Sequence, residues 1–187
     1  MTLAVLRIRG GCRTNQDIRD TMTMLRLTRQ NHLVFIPRDK VMAGMLQKIK
    51  DYVTWGEVDP ETLLKLINLR GRLVGDRPIT DEYIKANSSY ATAKDFAAAI
   101  VQGKAKFADL KDVKPVLRLH PPRGGFENTK LAFKVGGSLG YRGKEIGSLL
   151  LKMLGPGKTE MPAKAPAAKP ILKRAAVPQH PGGTRNG

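Results

Sequence analysis

Arginine and lysine side chains in this chain stand beside glycine and proline, and this combination can hold phosphate. The stretch RLHPPRGGF, residues 118–126, places Arg118, His120 and Arg123 around two prolines and two glycines. Prolines keep the chain extended, and glycines let the main-chain N–H groups approach a ligand closely. The planar guanidinium group of arginine can donate two parallel hydrogen bonds to phosphate oxygens. A rigid surface turn with solvated arginines would have the same sequence, and that alternative stays open here.

Arginines also crowd the first thirty residues, where the acidic residues are Asp17 and Asp20. Arg7 and Arg9 share one face of a predicted strand, so they could simply be its solvent-facing side chains. The high density of arginines in these thirty residues instead favours a surface that binds a phosphate backbone, with affinity arising largely from counterion release. The six arginines are Arg7, Arg9, Arg13, Arg19, Arg26 and Arg29.

The composition indicates an anionic partner. The 187 residues carry 33 Lys and Arg against 16 Asp and Glu, a formal net charge of +17. Such a balance predicts a polyanion or an anionic membrane surface as partner. The single cysteine, Cys12, excludes an intrachain disulfide and suits a reducing compartment. No secretory signal and no apolar run of about 18 residues is found, so we expect a cytoplasmic protein without a membrane partner.

The residues that could carry catalysis are scattered. His32, His120 and His180 are far apart in sequence and have no cysteine or carboxylate at a metal-ligand spacing. No phosphate-binding P-loop is present. The glycines of GGSLGYRG do not form G-x-G-x-x-G, and a turn or a close backbone approach explains them more simply. We therefore expect no enzyme activity, no metal and no cofactor.

Residues 1–58 are predicted to form a β-α-β-α-β core. Strands are expected at 3–9, 32–37 and 52–58, because β-branched and alternating apolar residues occur there. One helix is expected to open near Thr14 and another after Asp39, with Met22, Met24, Met42 and Met45 facing the core. Ala4, Leu6 and Ile8 form the apolar face of the first strand. The helices are long enough to cover one face of a small sheet.

Three further segments follow this core. Residues 59–112 are predicted to be a helical insert, and nine basic against eight acidic residues make it a poor polyanion-binding surface. Residues 113–155 are predicted to hold a basic loop region, including a flexible glycine loop GGSLGYRG, and a closing helix that packs on the core. Residues 156–187 form an extended tail rich in Pro and Lys with a net charge of +5, which we expect to thread along RNA.

Aromatic residues are too few for a regular base-stacking platform, with five Phe, four Tyr and one Trp. We therefore expect folded, double-helical and looped RNA to be recognised through its backbone and shape.

The segments RLHPPRGG and FKVGGSLGYRG, followed by an amphipathic helix, resemble the archaeal form of a universal family of large-subunit ribosomal proteins. This family is the thirtieth in bacterial numbering and the seventh in the eukaryotic set. VLRIRG, NHLVFIP and VMAGMLQKIKDYVTWGE agree, and the resemblance covers about residues 1–154. It implies an α+β fold: a small three-stranded antiparallel sheet with helices on one face, similar to a ferredoxin-like core.

The resemblance also implies a function without catalysis. A member of this family is expected to be a structural constituent of the large ribosomal subunit in the cytoplasm, bound to 23S ribosomal RNA near the 5S RNA region. 5S ribosomal RNA and neighbouring large-subunit proteins are further candidate partners. The candidate RNA-binding residues are Arg7, Arg9, Arg13, Arg26, Arg29, Arg38, Lys48, Arg118, His120, Arg123, Gly124, Gly125, Lys130, Lys134, Gly136, Gly137, Arg142, Lys144, Lys173 and Arg174.

Two other functions fit parts of the sequence. A general nucleic-acid binder of the nucleoid type would share the basic charge, but it has little need of a neutral helical insert. An enzyme that uses the glycine loop on a phosphorylated ligand would lack a base and a metal site.

Overall fold

The computed structural model describes residues 2–12 and 14–155. Arg13 and the predicted tail, 156–187 with Lys173 and Arg174, lie outside these residues. The β-α-β-α-β order expected for the first unit is confirmed. The elements are β1 Thr2–Arg7, α1 Gln16–Met24, β2 His32–Pro37, α2 Lys40–Lys48, β3 Val53–Glu57, α3 Pro60–Arg70, α4 Asp81–Asn87, α5 Ala93–Gln102, β4 Leu117–Arg118, β5 Asn128–Ala132, β6 Gly137–Tyr141 and α6 Ile146–Met153.

The sheet has six strands in the order β4-β2-β1-β3-β6-β5, not the three that were expected. Its centre is the expected antiparallel trio, with Val5 of β1 opposite Val34 of β2 on one side and Trp55 of β3 on the other. β4 adds to β2, while β6 runs parallel to β3. Three strands alone would leave the N–H and C=O groups at both edges unpaired, and the 113–155 segment supplies their partners.

The segment GGSLGYRG is mostly strand β6, so the prediction of a flexible glycine loop was wrong. Gly137, Ser138 and Leu139 are buried. A Cβ on Gly137 would overlap the carbonyl oxygen of Leu131 in β5, which explains why a residue without a side chain stands there. Gly140 has a φ of +80°, a conformation that favours glycine. Glycine weakens strand propensity, so the sequence pattern concealed this strand.

Helices cover both faces of the sheet. The two helices of the first unit, α1 and α2, share one face as expected, whereas the cover of the other face by α3, α5 and α6 was not expected. Ala4 and Leu6 belong to a core that contains the apolar residues of α3, α5 and α6. Leu3 and Val5 point the other way, into a second core with α1 and α2. Apolar residues at consecutive positions of β1 are typical of a strand buried on both faces. The helices of the 59–112 segment therefore form one layer of the first of these two cores, the one that contains Ala4 and Leu6.

Local signals at the helix ends were only partly informative. Thr92 precedes α5 and accepts a hydrogen bond from the Asp95 N–H, as an N-cap does. Asn15, not Thr14, precedes α1, and the Thr14 hydroxyl is buried without a partner among the described residues. Met24, predicted to face the core, is 70% exposed. Within the described residues, every helix is too short or too polar to cross a bilayer.

Candidate nucleic-acid interface

Cationic side chains line a groove at the edge of the sheet formed by β2 and β4. His32 of β2 pairs in register with Arg118 of β4. A cavity of about 300 Å³ opens beside this pair and is lined by Arg26, Lys114 and Arg118. Arg26 has a φ of +60° and is exposed, in the loop between α1 and β2. The edge therefore presents cations from two separate segments, the α1–β2 loop and the stretch that leads into β4.

A second cavity, of about 330 Å³, continues this groove toward the end of α3. Arg70, Arg72, Lys114 and Arg118 line it, and Asp76 at its rim is ion-paired to Lys114. The two cavities share Lys114, Val116 and Arg118. We call their combined lining the β4 groove: Arg26, Thr28, His32, Arg70, Arg72, Asp76, Lys114, Pro115, Val116 and Arg118.

Sequence reasoning missed Arg70, Arg72 and Lys114. Lys114 had a usable signal, since it stands beside Pro115 in the basic segment that begins at residue 113. Arg70 and Arg72 had none, because averaging charge over 59–112 gave a neutral total. Arg70 also holds α6 in place, since its Nε and Nη2 both donate to the carbonyl of Leu154.

The groove disfavours protonation of His32. Burial lowers the pKa of His32 below its ordinary value, and the charges of Arg118 and Arg29 lower it further. The Nδ1 of His32 accepts the backbone N–H of Arg29 at 3.4 Å, which leaves the proton of the neutral ring on Nε2. The cations of the groove therefore favour the uncharged form of this imidazole.

The RGG segment, which consists of Arg123, Gly124 and Gly125, forms a tight turn that is hydrogen-bonded to α6. The N–H of Gly125 donates to Pro122 O at 2.9 Å, and Gly124 has the positive φ, +86°, that the third residue of a type II turn requires. The N–H of His120 donates to Met153 O, and that of Arg123 donates to Lys152 O. No atom lies within 4 Å of a Cβ placed on Gly124 or Gly125, so both glycines face open space.

The predicted site residue Arg7 is buried, with 6% of its surface exposed. Its guanidinium donates to the carbonyls of Arg9 at 2.9 Å, Leu27 at 2.6 Å and Thr28 at 2.9 Å. Burial lowers its pKa. It therefore fastens the α1–β2 loop to β1. Its burial rules out, for Arg7, the solvent-facing strand face that the sequence had left open as an alternative.

Three more predicted residues make intramolecular contacts at the surface. The guanidinium of Arg9 lies 5.3 Å from the centroid of the Tyr52 ring. Arg38 pairs with Glu57 at 3.3 Å and Lys48 with Asp17 at 3.7 Å. Exposed ion pairs of this kind contribute about 0–1 kcal/mol, so these cations are easily released to another anion.

The remaining candidates lie toward the opposite edge of the sheet. Lys130 is in β5, Lys134 and Gly136 follow it, and Lys144 precedes α6. Five strand spacings separate β4 from β5, which corresponds to about 24 Å. Among the predicted residues, Arg26 and Arg118 thus lie at the β4 edge and Lys130 at the β5 edge, with Arg123, Gly124, Gly125 and Arg142 around a cavity beside β6. In the described part of the chain, no cluster of His, Cys, Asp or Glu could hold a metal ion.

Comparison with known proteins confirms the resemblance. The family described as Ribosomal protein L30p/L7e matches residues 3–53. A relative from Methanoculleus marisnigri is 50% identical over 150 residues, which is 80% of this chain and 98% of the relative. Relatives from Archaeoglobus fulgidus, 51% identical over 150 residues (80% of this chain, 98% of the relative), and Thermoplasma volcanium, 50% identical over 155 residues (83% and 94%), also match. All three are named large ribosomal subunit protein uL30. Half of the residues are identical over nearly the whole length of these relatives, and the chain therefore belongs to the uL30 family of ribosomal proteins.

Proposed function

We propose that this chain is a structural constituent of the large ribosomal subunit and binds 23S ribosomal RNA near the 5S RNA region. The observation that carries the proposal is the β4 groove, on a chain half identical to proteins named for that subunit. Five cations line the groove: Arg26, Arg70, Arg72, Lys114 and Arg118. The carboxylate among its lining residues is Asp76, which Lys114 already neutralises.

The groove suits the RNA backbone. Arginine forks bind phosphate oxygens in pairs, and release of condensed counterions supplies much of the affinity. Arg118 and Arg26 are exposed and their side chains make no hydrogen bond to another described residue, so they are free to meet phosphates. Arg29 lies near His32 and adds a further positive charge beside the groove. Such contacts fix position on a folded RNA and read its shape more than its sequence.

The role is architectural and requires no catalysis or cofactor. The location that follows is the cytoplasmic ribosome, with 5S ribosomal RNA and neighbouring subunit proteins as additional partners. The basic tail, 156–187, lies outside the described residues; its charge of +5 supports a path along RNA.

Sucrose-gradient sedimentation tests the proposal. A tagged full-length chain should co-migrate with large subunits and leave them only in a high-salt wash. The double variant Lys114→Gln/Arg118→Gln should be released at a lower salt concentration. The matched control, Lys85→Gln/Lys94→Gln, removes the same charge from exposed positions of α4 and α5 outside the groove and should behave as the wild type.

A chain that spreads over all nucleic acid in the gradient would favour the general binder. Equal salt sensitivity of the two double variants would show that the groove is not the RNA-binding surface.

A further inference from the structure

A cavity of about 310 Å³ lies beside the RGG turn, between β6 and α6. We call it the RGG cavity; its lining is Arg123, Gly124, Gly125, Phe126, Glu127, Ser138, Arg142, Ser148, Leu149 and Lys152. We propose that the RGG cavity receives one unstacked nucleobase of the bound RNA. This inference rests on the proposed function and identifies a base-reading site within it.

Two buried polar atoms in this cavity lack partners. Ser138 is 1% exposed, and its Oγ has no hydrogen-bond partner among the described residues. The Nε atom of Arg142 is also buried and has no hydrogen-bond partner among the described residues. Buried polar groups are almost always paired, and unpaired ones call for a missing ligand or solvent molecule. Ser138 and Arg142 both line this one cavity, so a single ligand inside it would lie against both side chains.

The cavity also offers flat surfaces. The guanidinium carbon of Arg142 lies 4.3 Å from the centroid of the Phe133 ring, which fixes the plane of that side chain. Burial lowers the pKa of Arg142 without removing its charge in the neutral range. Half-buried Phe126 forms another wall. Unstacked RNA bases bind by stacking on aromatic rings and on arginine guanidinium planes.

The mixed polarity of the lining favours a base over a phosphate. Glu127 places a carboxylate on the wall, which repels phosphate but accepts a hydrogen bond from a base N–H. Arg142 donates and Ser138 both donates and accepts, so the lining matches a base edge that carries both kinds of group. The volume is at the lower end of the range for small-molecule sites and exceeds what a phosphate group needs. Arg123 and Lys152 are exposed at the cavity and can bind the phosphates on either side of the base.

Chemical probing of large subunits that contain the full-length chain tests this inference. Dimethyl sulfate and a water-soluble carbodiimide together modify the pairing edges of all four bases. With the wild-type chain, one unpaired base should be shielded. Arg142→Lys keeps the positive charge but loses the planar guanidinium, so that base should become reactive while the chain still enters subunits.

One further variant, together with a matched control, tests whether the cavity itself takes part in RNA binding. Ser148→Phe fills the cavity from an exposed position of α6 without a change in charge, and it should weaken binding to large-subunit RNA about tenfold. Ser89→Phe, the same change at an exposed position between α4 and α5, is the matched control and should bind like the wild type.

An unchanged base-reactivity pattern with Arg142→Lys and Ser148→Phe would overturn the inference but leave the proposed function intact. Failure of the wild-type chain to enter large subunits would instead refute the proposed function, and this inference with it.

Discussion

His32 of β2 lies directly opposite Arg118 of β4, so a buried imidazole and an exposed guanidinium share the last strand pair of the sheet. Burial and the nearby Arg118 and Arg29 charges all favour the neutral imidazole. The strand pair thus places a group that resists protonation at the base of the candidate RNA-binding groove.

This arrangement predicts an acid-sensitive fold. Because the pKa of His32 is lower in the folded chain than in the unfolded one, the unfolded chain binds more protons below the ordinary value of about 6.5. The free energy of unfolding should therefore fall as the pH drops from about 7.5 toward 5. Urea unfolding at a series of pH values measures it.

His32→Gln should flatten this pH dependence. His120→Gln, at an exposed histidine, keeps His32 and serves as the matched control. Equal slopes for His32→Gln and the wild type would contradict the assignment to His32.

Arg7→Lys should destabilise the fold more than it changes RNA recognition. A lysine cannot serve the carbonyls of Arg9, Leu27 and Thr28 together, so buried acceptors lose their donors, at a cost of about 1–3 kcal/mol. Arg29→Lys, at an exposed position of the loop that Arg7 holds, should change stability by less than about 0.5 kcal/mol. Denaturant unfolding compares the two. A fully stable Arg7→Lys variant with weakened RNA binding would assign Arg7 to the interface.

Gly56→Ala and Gly44→Ala should shift stability in opposite directions. A Cβ on Gly56 would overlap the carbonyl oxygen of Gly143 and lie 3.1 Å from Ile146, so β3 and the turn before α6 would be forced apart. We expect a loss of about 1–3 kcal/mol. Gly44 lies within α2 with nothing within 4 Å of its Cβ position, so alanine should add about 0.5–1 kcal/mol. Thermal unfolding of both variants checks this pair, and a stable Gly56→Ala would disprove the close packing of that turn.

Arg118→Gln should reduce the salt dependence of RNA binding. If Arg118 neutralises one phosphate, the slope of log affinity against log salt should decrease in magnitude by about 1. Lys85→Gln, on α4 away from the β4 groove, should leave the slope unchanged. Filter binding of large-subunit RNA over a range of salt concentrations measures both slopes, and identical slopes would remove Arg118 from the interface.

The local sequence was enough to predict the central unit of this protein. Alternating and β-branched residues indicated β1, β2 and β3, helical spacing indicated α1 and α2, and RLHPPRGG with the first block carried the family resemblance. Helical periodicity also indicated α6. These signals survive in the sequence because each depends on residues that are close neighbours along the chain.

Long-range contacts decided the rest. β6 contains two glycines and was predicted as a loop, because what makes it a strand is its pairing with β3 and β5 rather than its own propensity. Charge counting along the chain hid Arg70 and Arg72, and only folding brings them beside Lys114 and Arg118. Folding likewise buries Arg7 and leaves Arg118 exposed, although both are arginines in strands, because burial depends on which elements cover a strand and not on the residue itself.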